Sequence, residues 1–178
     1  MMEDIKQFFL EKLITDERYE ITKPVDDQTL LLPRFLDKLK ECITIYTQKY
    51  PNQSVTFTET YRSNSLQYKY FQQGASKIKA DGMHHYGIAT DSIFIINGKR
   101  TYKGDVMLLR KIYVDNGLTI LGMWDALHVQ LIPVGQQTLL RSSVINGIKT
   151  FQSQNNLLVT GLVDKATIEK AKSVFLNP

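Results

Sequence analysis

The sequence predicts an α+β chain in which strands and their connecting loops carry the chemistry. Apolar residues recur at helical spacing in several separate stretches, and short alternating or β-branched runs lie between them. The chain's three histidines fall in two short stretches, each at or beside one of those predicted strands. A sheet suits such a constellation, because strands hold side chains in more fixed directions than free loops do.

The first helix is predicted over 3–16, where Ile5, Phe8, Phe9 and Leu13 form one apolar face. A second runs from Pro33 to Tyr50 on Phe35, Leu36, Leu39, Ile43 and Tyr46, and Pro51 follows its end. Ser54 to Thr60 alternates as a strand does, and a short helix follows over 64–73 with Ser63 as a candidate N-cap. Ile88 to Asn97 reads as a strand that carries Asp91 and turns at Asn97-Gly98. Asp105 to Asn116 is helical and stops at Gly117. Leu118–Leu121 and His128–Ile132 are the last strands. Beyond them Leu140, Val144, Ile148 and Phe151 return to helical spacing, and Asp164 caps a final helix over 165–174.

A length of 178 residues suits one compact domain and a small appendage. The division read from the sequence is 1–135 for the main domain, with 1–20 as its helical extension, and 136–178 for the appended segment. Gln136 to Thr138 is the predicted linker. The single cysteine, Cys42, leaves no internal disulfide and is expected to be buried in the second helix. No apolar run at the N-terminus resembles a signal peptide or a membrane span, so synthesis in the cytoplasm without a signal peptide is expected. The net charge of +4 favours anionic polymers. Its lysines are scattered among acids and apolar residues, and no nucleic-acid-binding motif accompanies them, so nucleic acid is not the expected partner.

The chemistry concentrates in Gly82-Met-His-His-Tyr-Gly-Ile-Ala-Thr-Asp91 and Asp125-Ala-Leu-His128-Val-Gln130. An open zinc site takes three protein ligands, mostly His with one carboxylate, and keeps one position for water. His84, Asp91 and His128 fit the ligand role. The metal lowers the pKa of that water toward neutrality, and a carboxylate must then move its proton to the leaving group. Asp125 fits that second role. Were residues 125–130 extended, Asp125 and His128 would fall on opposite faces, so a turn is needed there.

Both stretches resemble the zinc D-Ala-D-Ala carboxypeptidases and L-alanyl-D-glutamate endopeptidases, which share the Hedgehog/DD-peptidase fold. The family's first signature, Ser-x-His-x-x-Gly-x-Ala-x-Asp, is met by His84, Gly87, Ala89 and Asp91, with Gly82 in place of the serine. Its second, a carboxylate three residues before His, is met by Asp125 and His128, continuing to Gln130. Thr58-Glu-Thr-Tyr61-Arg62-Ser63, followed by Gln67, is similar to the family's Gly-Tyr-Arg-Ser-x-x-x-Gln segment. The resemblance implies one Zn2+ per chain on His84, Asp91 and His128. It implies Asp125 as general acid/base and Arg62 as the group that stabilises the substrate carbonyl or oxyanion. Arg62, Gln67 and Tyr86 are the implied substrate contacts, with Ser76 or Tyr86 replacing the serine lost at Gly82. Trp124 directly precedes Asp125, which makes the loop that bears this carboxylate shorter than in endolysin-type relatives.

The tail is similar to the second half of the peptidoglycan-binding domain of many wall hydrolases. Phe151-Gln152, Gly161, Val163-Asp164 and Thr167 carry that likeness, with Asn156 where Gly is usual. A small helical hairpin packed on the main domain is the other reading of these forty-odd residues. Together the resemblances imply a monomeric, endolysin-like zinc metallopeptidase that acts on peptidoglycan after release or delivery. Hydrolysis between L-Ala and D-Glu is the first expectation. A D-Ala-D-Ala carboxypeptidase and an inert zinc-containing wall-binding module are the alternatives.

Overall fold

The computed structural model describes residues 1–176. A five-stranded antiparallel sheet is built around one long strand, and helices supply most of the remaining structure. The central strand is β2 (Ala89–Ile96). Strand β1 (Gln53–Glu59) pairs along one edge of it. The other edge is shared. β5 (His128–Gln130) takes residues 89–91 of β2, and β3 (Lys99–Thr101) takes residues 94–96. β4 (Thr119–Ile120) lies outside β5. The β2–β3 hairpin turns at Asn97 and Gly98, both at positive φ, as an Asn-Gly turn requires.

Helix α1 (Met2–Phe8) runs on through a π-helical turn over Phe9–Leu13, and Ile5, Phe9 and Leu13 are buried. α2 (Pro33–Lys49) starts with proline, whose missing N–H costs nothing in a first turn. It buries Phe35, Leu39, Cys42 and Tyr46, which lie on one helical stripe. α3 (Asn64–Gln72) is capped by Ser63, whose hydroxyl accepts from the Leu66 amide at 3.0 Å. α4 (Val106–Asp115) is capped in the same way by Asp105. α2 and α4 cover one face of the sheet, where Tyr46 meets Phe94 and Tyr113 pairs with Ser92 at 2.8 Å.

Helices α5 (Gln137–Gln154) and α6 (Lys165–Phe175) complete the chain. Residues 136–138 form no open linker: Gln136 ends a 3-10 turn and α5 starts at the next residue. Leu140, Val144, Ile148, Phe151 and Ala171 join the same apolar core as Ile5, Phe9 and Leu13. Gly147 lets α5 approach α1 closely, for a Cβ there would lie 2.5 Å from the Lys6 side chain. Between the two helices, Gln152 is fully buried. Its amide nitrogen shares two N–H groups among Thr160 Oγ1, the Leu162 carbonyl and Thr167 Oγ1, and its oxygen accepts from the amides of Thr160 and Gly161. The tail motif is thereby explained structurally: glutamine, glycine and threonine form one internal lock. Asn156 has φ 56, a left-handed conformation that asparagine tolerates. No helix among the described residues is long and apolar enough to cross a membrane.

Candidate metal centre

Three strands line up the centre by register. Glu59 on β1 lies opposite Asp91 on β2, and Asp91 lies opposite His128 on β5. Directly opposed residues project to the same face. Glu59 joins this row only through an irregularity in β1. Phe57 pairs with Ser92, yet Glu59, two residues on, pairs with Asp91. Regular pairing would set Thr58 against Asp91 and turn Glu59 toward the helices. One extra residue reverses the side on which it emerges.

His84 enters from the turn Met83–Tyr86, which closes at Gly87. Gly87 has φ 64, and a Cβ there would sit 2.4 Å from the Leu30 carbonyl, so no other residue fits without rebuilding the turn. At Gly82, where the resemblance calls for serine, a Cβ would meet Gln67 Oε1 at 3.1 Å and Ile78 Cδ1 at 3.3 Å. Gln67 and Ile78 take the space that a larger residue would need.

The ligand atoms converge as follows. His84 Nδ1 donates to the Glu59 carbonyl at 3.2 Å, because a carbonyl can only accept, and this leaves Nε2 with its lone pair free. His128 Nε2 donates to Gln130 Oε1 at 3.3 Å, which frees Nδ1. The Gln130 amide is oriented by its own donation to the Ile132 carbonyl at 2.6 Å, while Gln137 donates to the same Oε1. His84 Nε2 and His128 Nδ1 are 3.2 Å apart, and Asp91 Oδ1 lies 3.5 Å from the first and 3.2 Å from the second. Two ring nitrogens and one carboxylate oxygen thus face one point, and the outer hydrogen bonds of both rings favour tautomers that can present a lone pair there. His84, Asp91 and His128 could hold a metal ion there. Burial alone would raise the Asp91 carboxyl, but the two imidazoles outweigh it and hold Asp91 well below the usual carboxylate range.

Asp125 sits in the short turn Met123–Asp125, so the bend needed to bring it beside His128 is present. Its Oδ2 is 3.9 Å from His128 Nδ1. Burial pushes its carboxyl above the ordinary value; of the charges nearby, His128 opposes the rise and Asp91 adds to it. Arg62 reaches in from the end of β1. It pairs with Glu59 through Nε and Nη2, and donates to Gln67 Oε1 at 3.2 Å and to Asp91 Oδ2 at 3.4 Å. Burial works against its charge, and the Glu59 carboxylate overcomes that effect. Four contacts use four of the five N–H donors of a guanidinium, so one on Nη1 remains.

These groups line a cleft of about 680 Å³ together with Tyr70, Lys77 and Trp124. Two expected substrate contacts change role. Tyr86 is buried against Phe9 and lines no part of the cleft. A 3-10 turn advances by a third of a revolution per residue, so Tyr86 leaves the side that His84 occupies. Gln67 lines the cleft but is buried, with its oxygen taken by Arg62 and its nitrogen by Ser76 Oγ at 2.7 Å and the Ile78 carbonyl at 2.9 Å. It braces the wall instead of presenting a free polar group. His85 is no ligand: its ring packs among Phe9, Tyr19 and Tyr61, and its Nδ1 donates to the Arg62 carbonyl at 3.3 Å.

Sequence reasoning passed over Glu59 and Arg110. Glu59 is a carboxylate three residues before Arg62, and that spacing was its only signal. Arg110, on α4, is buried with no carboxylate partner among the described residues, and donates to the carbonyls of Ala126 at 2.8 Å and Leu121 at 2.5 Å. It staples both ends of the segment that presents Trp124 and Asp125. No protein-family model and no curated protein matches this sequence.

Proposed function

We propose that the chain is a zinc peptidase of the Hedgehog/DD-peptidase type that hydrolyses an amide bond in peptidoglycan stem peptides, between L-Ala and D-Glu. The observation that carries this reading is the convergence of three potential ligand atoms, from His84, Asp91 and His128, beside Asp125 and Arg62. A tetrahedral ion with metal–nitrogen distances near 2.0–2.1 Å has ligand–ligand edges of about 3.3–3.4 Å. The distances of 3.2, 3.2 and 3.5 Å between these atoms fit that figure. The two histidines and one carboxylate also match the donor set of open catalytic zinc sites. The three motifs that resemble the family meet at this one cleft, which supports the choice of substrate.

Zinc held by these residues supplies Lewis acidity and brings a water's pKa toward neutrality. Asp125 takes the proton of the attacking water and returns it to the leaving amine. Arg62, fixed by Glu59 and Gln67, offers its remaining N–H to the carbonyl oxygen as negative charge grows there. Gln130 and the Glu59 carbonyl hold the two imidazoles in the tautomers that leave their lone pairs on the metal side. The site of action is the cell wall, reached after release or delivery, and the protein works as a monomer.

The test is mass spectrometry of purified sacculi digested with the zinc-loaded protein. New N-terminal D-Glu establishes the endopeptidase, and release of free D-Ala establishes the carboxypeptidase instead. Intact sacculi after prolonged digestion with zinc-loaded protein would overturn both.

A further inference from the structure

Lys77 stands at the mouth of the same cleft on the segment 74–81, with its ammonium 5.0 Å from the centre of the Trp124 ring. The other charged side chains lining the cleft all have opposite-charge or imidazole partners. Glu59 pairs with Arg62, Asp91 with Arg62 and both histidines, and Asp125 lies beside His128. Lys77 enters none of the ion pairs formed by the described residues. Its nearest held group is an indole face, which attracts a cation while leaving ammonium hydrogens for an anion.

The position of Lys77 is also fixed. Its neighbours on both sides, Ser76 and Ile78, accept from the same Gln67 amide nitrogen, and the oxygen of that amide accepts from Arg62. The far end of the segment is tied where Asn64 and Asp81 exchange two hydrogen bonds and Arg141 donates to the Asp81 carbonyl. Lys77 and Arg62 are therefore held at a set separation through one side chain. Trp124 is 68% exposed and sits next to Asp125, so a ligand against the indole is already beside the metal ligands.

We infer that Lys77 and Trp124 form an anion subsite that takes a carboxylate of the substrate, on a residue flanking the scissile amide. This rests on the peptidase reading above and refines it: peptides whose carboxylate is free are preferred over the same peptides amidated. Loss of one charge-assisted contact of this kind changes affinity by roughly tenfold to a hundredfold.

Trp124 is the chain's one tryptophan, so its fluorescence reports on the subsite without any need for turnover. Two probes suffice: N-acetyl-D-glutamate as a simple anion, and an L-alanyl-D-glutamyl peptide in free-acid and amidated forms. The unsubstituted zinc-loaded protein should show saturable quenching by N-acetyl-D-glutamate and a KM roughly tenfold to a hundredfold lower for the free-acid peptide. Lys77→Ala should lose the quenching and bring the KM of the free-acid peptide to that of the amidated one, and Lys77→Arg should keep both quenching and preference. An unchanged preference in Lys77→Ala, or no quenching of the unsubstituted protein, overturns the subsite. If neither peptide is cut, the L-Ala–D-Glu endopeptidase reading fails, and the quenching by N-acetyl-D-glutamate still decides the subsite.

Discussion

His84 and His128 meet the same point with different ring nitrogens, Nε2 and Nδ1, held 3.2 Å apart. The difference follows from what holds each ring from behind. His84 donates its Nδ1 proton to a backbone carbonyl on β1, whereas His128 donates its Nε2 proton to the side chain two residues along its own strand. Residues two apart on a strand share a face, so the His-x-Gln spacing has a physical reason. One histidine is oriented by the fold and the other by its own sequence.

That asymmetry yields a prediction for Gln130. Gln130→Ala should weaken zinc binding about tenfold to a hundredfold without abolishing it, as expected for a lost outer partner of a ligating imidazole. His84→Ala and His128→Ala should each lose stoichiometric zinc, and Asp125→Ala should keep it. Competition with a chelator of known affinity measures all four. Full zinc content in either histidine variant would remove that residue from the ligand set.

Much of this site was legible in the sequence, because its spacing reflects local structure. The His84 turn, the left-handed Gly87 and the strand that carries Asp91 are consecutive, and His-x-Gln is a single strand face. What escaped depended on pairing between distant segments. The irregularity that turns Glu59 into the cleft follows from the pairing of β1 with β2. Strand β3 is three residues of Lys, Arg and Thr with no apolar alternation, and only its partner makes it a strand. Tyr86 departs from its expected place because the turn's three-residue period leaves no mark in the sequence, and residues 136–138 differ from a linker because polar residues begin α5.

Arg110 should control Asp125 from a distance. Arg110→Met leaves the carbonyls of Leu121 and Ala126 without their donor and frees the turn that carries Asp125. Small misplacements of a catalytic group cost up to about a hundredfold in rate. The expected outcome is a kcat lowered roughly tenfold to a hundredfold with zinc content and KM nearly unchanged, whereas Asp125→Ala falls by at least about a hundredfold. Steady-state kinetics well below the melting temperature separates this from simple unfolding. An Arg110→Met enzyme with unaltered kcat shows the turn to be held by other contacts.

Acid should loosen the segment behind Arg62. Thr60 is tied to the Val25 and Asp27 carbonyls, and Arg18 clamps Asp27 against Asp16. Hydrogen bonding from Arg18 brings the Asp27 carboxyl down from 3.8 to about 2, with the Thr29 amide assisting. A carboxyl whose folded pKa lies below its unfolded one stabilises above the unfolded value, and that contribution disappears as pH falls through the folded one. Stability should therefore decline between about pH 4 and pH 2, and Asp27→Asn should flatten that decline. Denaturant midpoints measured across this window give the comparison, and identical slopes in both proteins would exclude Asp27 as the cause.

The tail should prove inseparable from the rest of the chain. Its helices bury Leu140, Val144, Ile148, Phe151 and Ala171 in the core shared with α1, and Gln137 and Arg141 reach the wall of the cleft. Removal of residues 139–178 uncovers that core, so the truncated protein should be insoluble or lose zinc affinity. A milder change tests the lock itself. Gln152→Leu keeps the volume but leaves the buried Gly161 amide without its acceptor. A loss of about 1–3 kcal/mol is expected for that one group, or roughly 2–10 °C in melting temperature for a chain of this size. The candidate metal site lies outside the lock, and metal binding there should be unchanged. A Gln152→Leu protein that melts with the unsubstituted one would show that Thr160, Gly161 and Thr167 are held without it.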